Sequence, residues 1–255
     1  MKKVLIVLGC LLMVGMLVMG YLWWCSRVSN PWDAKSIGDI PTPIGYERVE
    51  AEKGSYQEWL RELPLKPKGT KVMLYTGGEA NFQHFYTGVI DMPLLSNAEQ
   101  CADVTMRLRA EYLFRKGNFS DICFTDVDGK RLKYSGGQSR KAFEKYLRKA
   151  YERCSTYSVK KETQPRKISE VEAGDVLVYP ARKLEGMGHA LIVVDVARKG
   201  NKVAIMCAEG NTPARDIHIV RNLNVIRNPW FFFNGDEQVL WISAFHFGKD
   251  ELRHY

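Results

Sequence analysis

Three residues of this 255-residue chain have the types and the order that nucleophilic acyl chemistry requires: Cys101, His189 and Glu209. A thiol attacks a carbonyl as its thiolate, so it needs a base beside it, and the base needs a polar group to fix its tautomer. Cys101 lies in the opening turns of an expected helix, and a helix N-terminus and an adjacent imidazolium both favour a thiolate. His189 stands at the mouth of the run Ala190-Leu-Ile-Val-Val-Asp-Val. That run is apolar on both faces, the pattern of a central strand covered on each side, and such a strand is a rigid mount for a base. Arg198-Lys199-Gly200-Asn201 reads as a hairpin turn, which sets His189 opposite residues 209–210. Glu209 can then accept the imidazole N–H, although a slip of one residue would turn it to the other face.

Each residue also has a plainer reading. Ser96 with Glu99 forms a capping box for a helix over Asn97–Lys116, on whose apolar stripe Cys101 falls, as a small core residue would. In that helix Cys101 occupies the second turn with its N–H already bonded. An oxyanion site would then have to draw on Gln100 or a loop amide. His189 can equally be a hydrogen-bonded structural histidine, and Glu209 takes its meaning from His189. His189, Glu209 and His218 are together a conceivable zinc set, but no His-x-x-x-His or Cys-x-x-Cys spacing accompanies them, and no cofactor is implied. Asp103, Arg107, Arg109 and Glu111 include i,i+4 pairs of the structural kind. Trp230-Phe-Phe-Phe233 reads as core, with a groove lining as the alternative.

The elements that must position these residues form one α+β domain over residues 40–255. Helices are expected over Ser55–Leu63, Asn97–Lys116 and Ser139–Cys154. Strands are expected over Val72–Tyr75, Phe85–Met92, Asp121–Thr125, Asp175–Tyr179, Ala190–Ala197, Lys202–Ala208 and Val239–Phe247, from alternation and β-branched content. No repeat or low-complexity segment interrupts them.

Gly174-Asp-Val-Leu-Val-Tyr179 followed by Gly188-His-Ala-Leu-Ile-Val-Val-Asp195 resembles the strand–loop–strand of NlpC-type, papain-like cell-wall cysteine peptidases and amidases. The resemblance implies an antiparallel sheet packed against helices, a cysteine earlier on a helix, and a polar residue on the strand after the histidine. A longer resemblance is to domain-of-unknown-function family 4846, exported proteins of Gram-negative bacteria without an assigned activity. Trp59-Leu-Arg-Glu-Leu-Pro-Leu-Lys-Pro67, Gln100-Cys-Ala-Asp103, Met106-Arg-Leu-Arg-Ala-Glu-Tyr-Leu113, Thr212-Pro-Ala-Arg-Asp-Ile-His218 and Asn228-Pro-Trp230 carry it. It implies a fold and a compartment, and glutamine is often found in that family where this chain has Glu209.

The address comes from the start of the chain. Lys2 and Lys3 precede an apolar run from Val4 to Trp24, long enough for a roughly 30 Å hydrocarbon core, with Tyr21, Trp23 and Trp24 at its far end. Residues 1–25 therefore read as a single-pass anchor or uncleaved signal, and 26–39 as a stalk, with the domain on the periplasmic side. Cys10 after Gly9 leaves lipidation as an alternative. The chain is basic, at +8, and thirteen Lys or Arg against three Glu crowd residues 130–167. That run is a solvated face or a contact for an acidic envelope polymer. Nucleic acid is excluded by compartment and by lack of a motif. Cys101, Cys123, Cys154 and Cys207 would lie in an oxidising compartment and allow disulfides, or serve as small core residues. The expectation is a membrane-anchored envelope protein, either a cysteine-dependent amide hydrolase acting on cell-wall peptide or a non-catalytic binding domain on the same scaffold.

Overall fold

The computed structural model describes residues 2–27, 33–181, 186–224 and 228–255. Helix α1 covers Lys2–Arg27, and α2, Tyr56–Glu62, is capped by the Ser55 hydroxyl, which accepts the Glu58 N–H. Strand β1 is Tyr86–Val89. Helices α3, α4 and α5 are Cys101–Lys116, Arg140–Tyr151 and Thr156–Glu162. Strands β2, β3, β4 and β5 are Val176–Tyr179, His189–Lys199, Lys202–Glu209 and His218–Val220, and β6 is Leu252–His254.

One antiparallel sheet runs β1-β5-β4-β3-β2-β6, with Gln164–Pro165 at its far edge and two short strands, Glu47–Arg48 and Phe231–Phe233, beside β3 and β4. The α+β class and the sheet-against-helices arrangement follow directly. Val104 and Leu108 of α3 meet Val178, Ala190, Ile192 and Ala208 on one sheet face. On the other face Leu177, Leu191, Val193 and Cys207 pack with Leu240, Ile242 and Phe247. Helix α3 is buried on almost every side from Cys101 to Leu108, as a helix enclosed by a sheet and other helices must be.

The structure departs from the expected elements in ways that matter for the site. Val72–Tyr75 is not a strand; Met73 and Leu74 make only isolated bridges, to Glu79 and Arg215. Val239–Phe247 is two strands, Val239–Ile242 and Phe245–Gly248, folded on each other about Ser243, whose φ is +53°. The short helix α5 and the C-terminal strand β6 carry little periodicity and escaped the pattern. Ala34 and Ile37, inside the expected stalk, are buried, and the Ile37 N–H bonds the Leu63 carbonyl, so the packed domain starts before residue 40. Residues 28–32 of that stretch lie outside the described residues. Among the described residues no helix is long and apolar enough to cross a membrane, and the described apolar side chains of α1 extend only from Ile6 to Tyr21, all exposed. Cys101, Cys123, Cys154 and Cys207 are free thiols.

The β3–β4 register contains the most consequential detail. Near the turn Lys199 faces Lys202 and Val196 faces Ile205, but after a bulge at Val194 the pairs become Val193 with Cys207 and Ile192 with Ala208. The register expected from the turn is therefore corrected. The extra residue places Glu209 on the same face as His189; continuing the turn-proximal pairing would have put it on the other. Asp195, fully buried just past the bulge, is held by Arg48 at 2.8 Å and Arg61 at 2.7 Å. Removing one partner of a buried charge cluster leaves the others unpaired. Asp195→Ala should cost about 3 kcal/mol of stability, read as a lowered urea midpoint; a change below about 1 kcal/mol would show that the bulge needs no ionic clasp.

Candidate active site

Helix α3 starts at Cys101, four residues later than the sequence pattern suggests. Ser96 and Glu99 form a separate turn, in which Glu99 accepts the Leu95 N–H at 2.8 Å and the Ser96 hydroxyl accepts the Ala98 N–H at 3.2 Å. Gln100 is the true cap residue, and Asp103 accepts its N–H at 2.9 Å. Cys101 thus occupies the first helical position, where the backbone N–H has no partner within the helix and the dipole is strongest. The expectation that its N–H is consumed by the helix is overturned.

His189 Nε2 lies 2.6 Å from Glu209 Oε2, both groups buried. The carboxylate accepts the Nε2–H, and the Cys101 thiol lies close enough to His189 to interact with its ring. Burial presses the imidazolium toward losing its proton, but the Glu209 charge, the neighbouring Cys101 and the hydrogen bond His189 donates to Glu209 outweigh it and hold His189 up at about 9. Burial would lift the Glu209 carboxyl, but His189 and His218 hold it down at about 2. Burial pushes the thiols of Cys154, to about 12, and Cys207 upward, so neither is poised to react. The structure therefore brings together all three residues singled out from the sequence.

Two further groups complete the constellation. His218, opposite Glu209 on β5, sets Nε2 3.1 Å from Oε1 and donates Nδ1–H to the Asp216 carbonyl at 2.8 Å. The Tyr86 ring covers it at 4.2 Å, and Arg215 hydrogen-bonds the Tyr86 hydroxyl. Glu209 is consequently gripped at both oxygens. Among the described residues no group of three or more His, Cys, Asp or Glu side chains is arranged to hold a metal ion. Phe245 stacks on His189, with centroids 3.8 Å apart and planes 18° from parallel. Sequence patterning missed Phe245 because it places this residue inside one continuous strand; only the Ser243 reversal brings it over the imidazole.

Glycines make the close approach possible. A Cβ on Gly210, next to Glu209, would lie 2.6 Å from Val104 Cγ2 and 3.3 Å from the Gln100 carbonyl oxygen. A Cβ on Gly188 would lie 2.4 Å from the Thr156 hydroxyl and 2.6 Å from the Tyr179 carbonyl oxygen. The shortest of these, 2.6 Å and 2.4 Å, are below any real Cβ contact, so Gly210 lets the end of β4 reach the start of α3 and Gly188 lets the start of β3 lie against α5 and β2.

The model of the family described as "Domain of unknown function (4846)" matches residues 38–139 and 133–254. The chain belongs to this family. No curated protein and no solved structure matches it. The family match spans the whole constellation, from Gln100 to His218, together with Phe245.

Two outcomes follow from this geometry. Gly210→Ala must push the start of α3 away from β4, at a cost of about 1–3 kcal/mol, and should slow iodoacetamide labelling of Cys101 more than tenfold in protein that is still folded. Unchanged labelling would show that the approach is not needed. The second concerns pH. His189 is raised in the folded state, so its contribution to stability is complete below about pH 6.5 and disappears as pH rises through about 9, a change of about 3 kcal/mol. Chemical denaturation across pH 6–9.5 should show this loss in the native protein and much less of it in His189→Gln; equal slopes would refute the assignment.

Proposed function

We propose that this chain is an envelope-anchored cysteine hydrolase of papain-like architecture that cleaves an amide or related acyl bond. The observation that carries the reading is the buried 2.6 Å His189–Glu209 pair with the Cys101 side chain, at the first position of α3, close to the same imidazole. A merely structural histidine does not need both a buried carboxylate and a helix-terminal thiol beside it.

The Cys101 thiolate attacks the carbonyl carbon while His189 holds the thiol proton at Nδ1. The oxyanion that forms is met by the unbonded Cys101 N–H and by the Gln100 side-chain amide. Thr212 donates its hydroxyl hydrogen to Gln100 Oε1 at 2.9 Å, which fixes that amide with its NH2 group free to donate. The carbon–nitrogen bond then breaks, the leaving amine takes the proton from His189, and a thioester remains on Cys101. Water, deprotonated by His189, attacks the thioester and releases the acid and the free thiol. Glu209 keeps Nε2 protonated throughout and balances the imidazolium.

Compartment and substrate belong to the same proposal. The apolar run within α1 and the lysines before it support a membrane tether with the domain on the periplasmic face. The Tyr21 hydroxyl bonds the Leu223 carbonyl, which would hold the domain close to that membrane. The accessible amide polymer there is the peptide of the cell wall. Residues 130–167 carry enough positive charge to favour an acidic envelope polymer as a neighbour.

Hydrolysis of purified cell-wall peptides by the full chain in detergent should be abolished in Cys101→Ala. The alkaline limb of its pH profile should report loss of the His189 proton near pH 9. Glu209→Gln should lower kcat by about 10²–10⁴-fold and move that limb toward the ordinary histidine range, because the carboxylate that holds the proton is gone. A limb that does not move would sink the dyad. No turnover, with Cys101 inert to alkylation, would leave a non-catalytic binding domain.

A further inference from the structure

The cleft beside Cys101, about 230 Å³, is lined in part by Asp103 and Tyr151, both buried. Each has a buried oxygen with no hydrogen-bond partner among the described residues, Asp103 Oδ1 and the Tyr151 hydroxyl. The helix pairing expected from spacing does not supply one. Arg107, four residues after Asp103, is taken by Glu99 at 2.6 Å and Glu111 at 3.4 Å, while Arg140 holds Glu111 through both oxygens. In this network the two guanidinium groups serve Glu99 and Glu111, so the Asp103 carboxyl, beside the cleft, has no cation of its own. A buried acceptor without a donor is a standing cost that native proteins rarely carry unless a ligand removes it. Burial, with the Glu99 carboxylate nearby, also lifts the Asp103 carboxyl well above the usual range, and burial raises Tyr151 against the opposing pull of Arg107.

We infer that this cleft is a subsite for an alkylammonium group of the substrate, which donates to Asp103 Oδ1 and the Tyr151 hydroxyl within reach of the Cys101 sulfur. The ammonium is the free amino terminus of a peptide or the end of a basic side chain. This assignment rests on the reading of Cys101 as a cleft-facing nucleophile, but its test need not depend on turnover.

The full-length protein is treated with aminoethyl, methyl or sulfonatoethyl methanethiosulfonate, and modification of Cys101 is followed by peptide mass mapping, normalised to a free thiol. The cationic reagent should react about tenfold faster than the methyl reagent, and the anionic one slower still. Asp103→Asn keeps an oxygen for the Gln100 N–H and should bring the ratio to about one. Tyr151→Phe removes a hydroxyl that bonds nothing, so it should leave the melting temperature unchanged or higher while lowering the ratio severalfold; a merely structural tyrosine would not separate the two. Equal rates for all three reagents on a labelled Cys101 overturn the subsite and leave the hydrolase standing. If Cys101 reacts with none, the nucleophile fails, and the subsite is decided in Cys101→Ala by thermal shift. There, triglycine or N-acetyl-diglycyl-lysine amide should stabilise the protein and N-acetyl-triglycine should not, according to which ammonium source is used. No difference among the three peptides rejects the subsite.

Discussion

The Glu209 carboxylate is the constraint on which the arrangement depends. It is buried, and a buried carboxylate needs polar partners at its oxygens. His189 donates to one oxygen at 2.6 Å and the His218 Nε2 stands 3.1 Å from the other, and these histidines come from the two strands that flank β4. Glu209 therefore does more than orient one imidazole. It joins β3, β4 and β5 at the end where α3 begins, so the sheet edge and the nucleophile's helix share one electrostatic anchor. The Asp216 carbonyl and the Tyr86 ring extend the grip to β1.

That anchor exists because of a defect in the ladder. A regular β3–β4 hairpin would send Glu209 to the face opposite His189, and the Val194 bulge corrects its direction. Bulges re-aim side chains at the cost of a ladder position, and here the neighbouring Asp195 is clasped by two arginines from the segment before α3. The amino-terminal part of the domain, remote from the chemistry in sequence, thus fixes a detail of strand pairing on which the His–Glu contact relies.

Much of this was legible in the sequence, for identifiable reasons. The strands of Asp175–Tyr179 and Ala190–Ala197 are apolar on both faces, and such runs are hard to mistake. Ser55 and Ser139 marked their helix starts because their hydroxyls cap the backbone in the observed way. Ser96 misled because Ser96 and Glu99 do satisfy one turn, only not the one that continues; chain direction changes again before Gln100, which no local capping rule anticipates. The bulge, the reversal at Ser243 and the unpaired Asp103 carboxyl were invisible for a common cause. Each is decided by partners outside the local pattern: Arg48 and Arg61 for the bulge region, His189 for Phe245, Glu99 and Glu111 for Arg107.

The later helix start changes the chemical argument more than any other difference. With Ser96 as cap, the Cys101 amide is a used donor, and the sulfur sits a turn away from the dipole's positive end. With Gln100 as cap, the same residue gains a free N–H, the full end-of-helix field and a side-chain amide next to it. It also places Asp103 in the first turn, where one oxygen is spent on the cap and the second is left facing a cleft. The capping that builds the nucleophile's environment and the unsatisfied carboxyl oxygen beside it are one structural event. Stability alone would select a neutral partner at Asp103 or a hydrogen bond for Tyr151; retaining both unpaired next to a thiol–imidazole pair is what a site does when its missing partner arrives with the substrate.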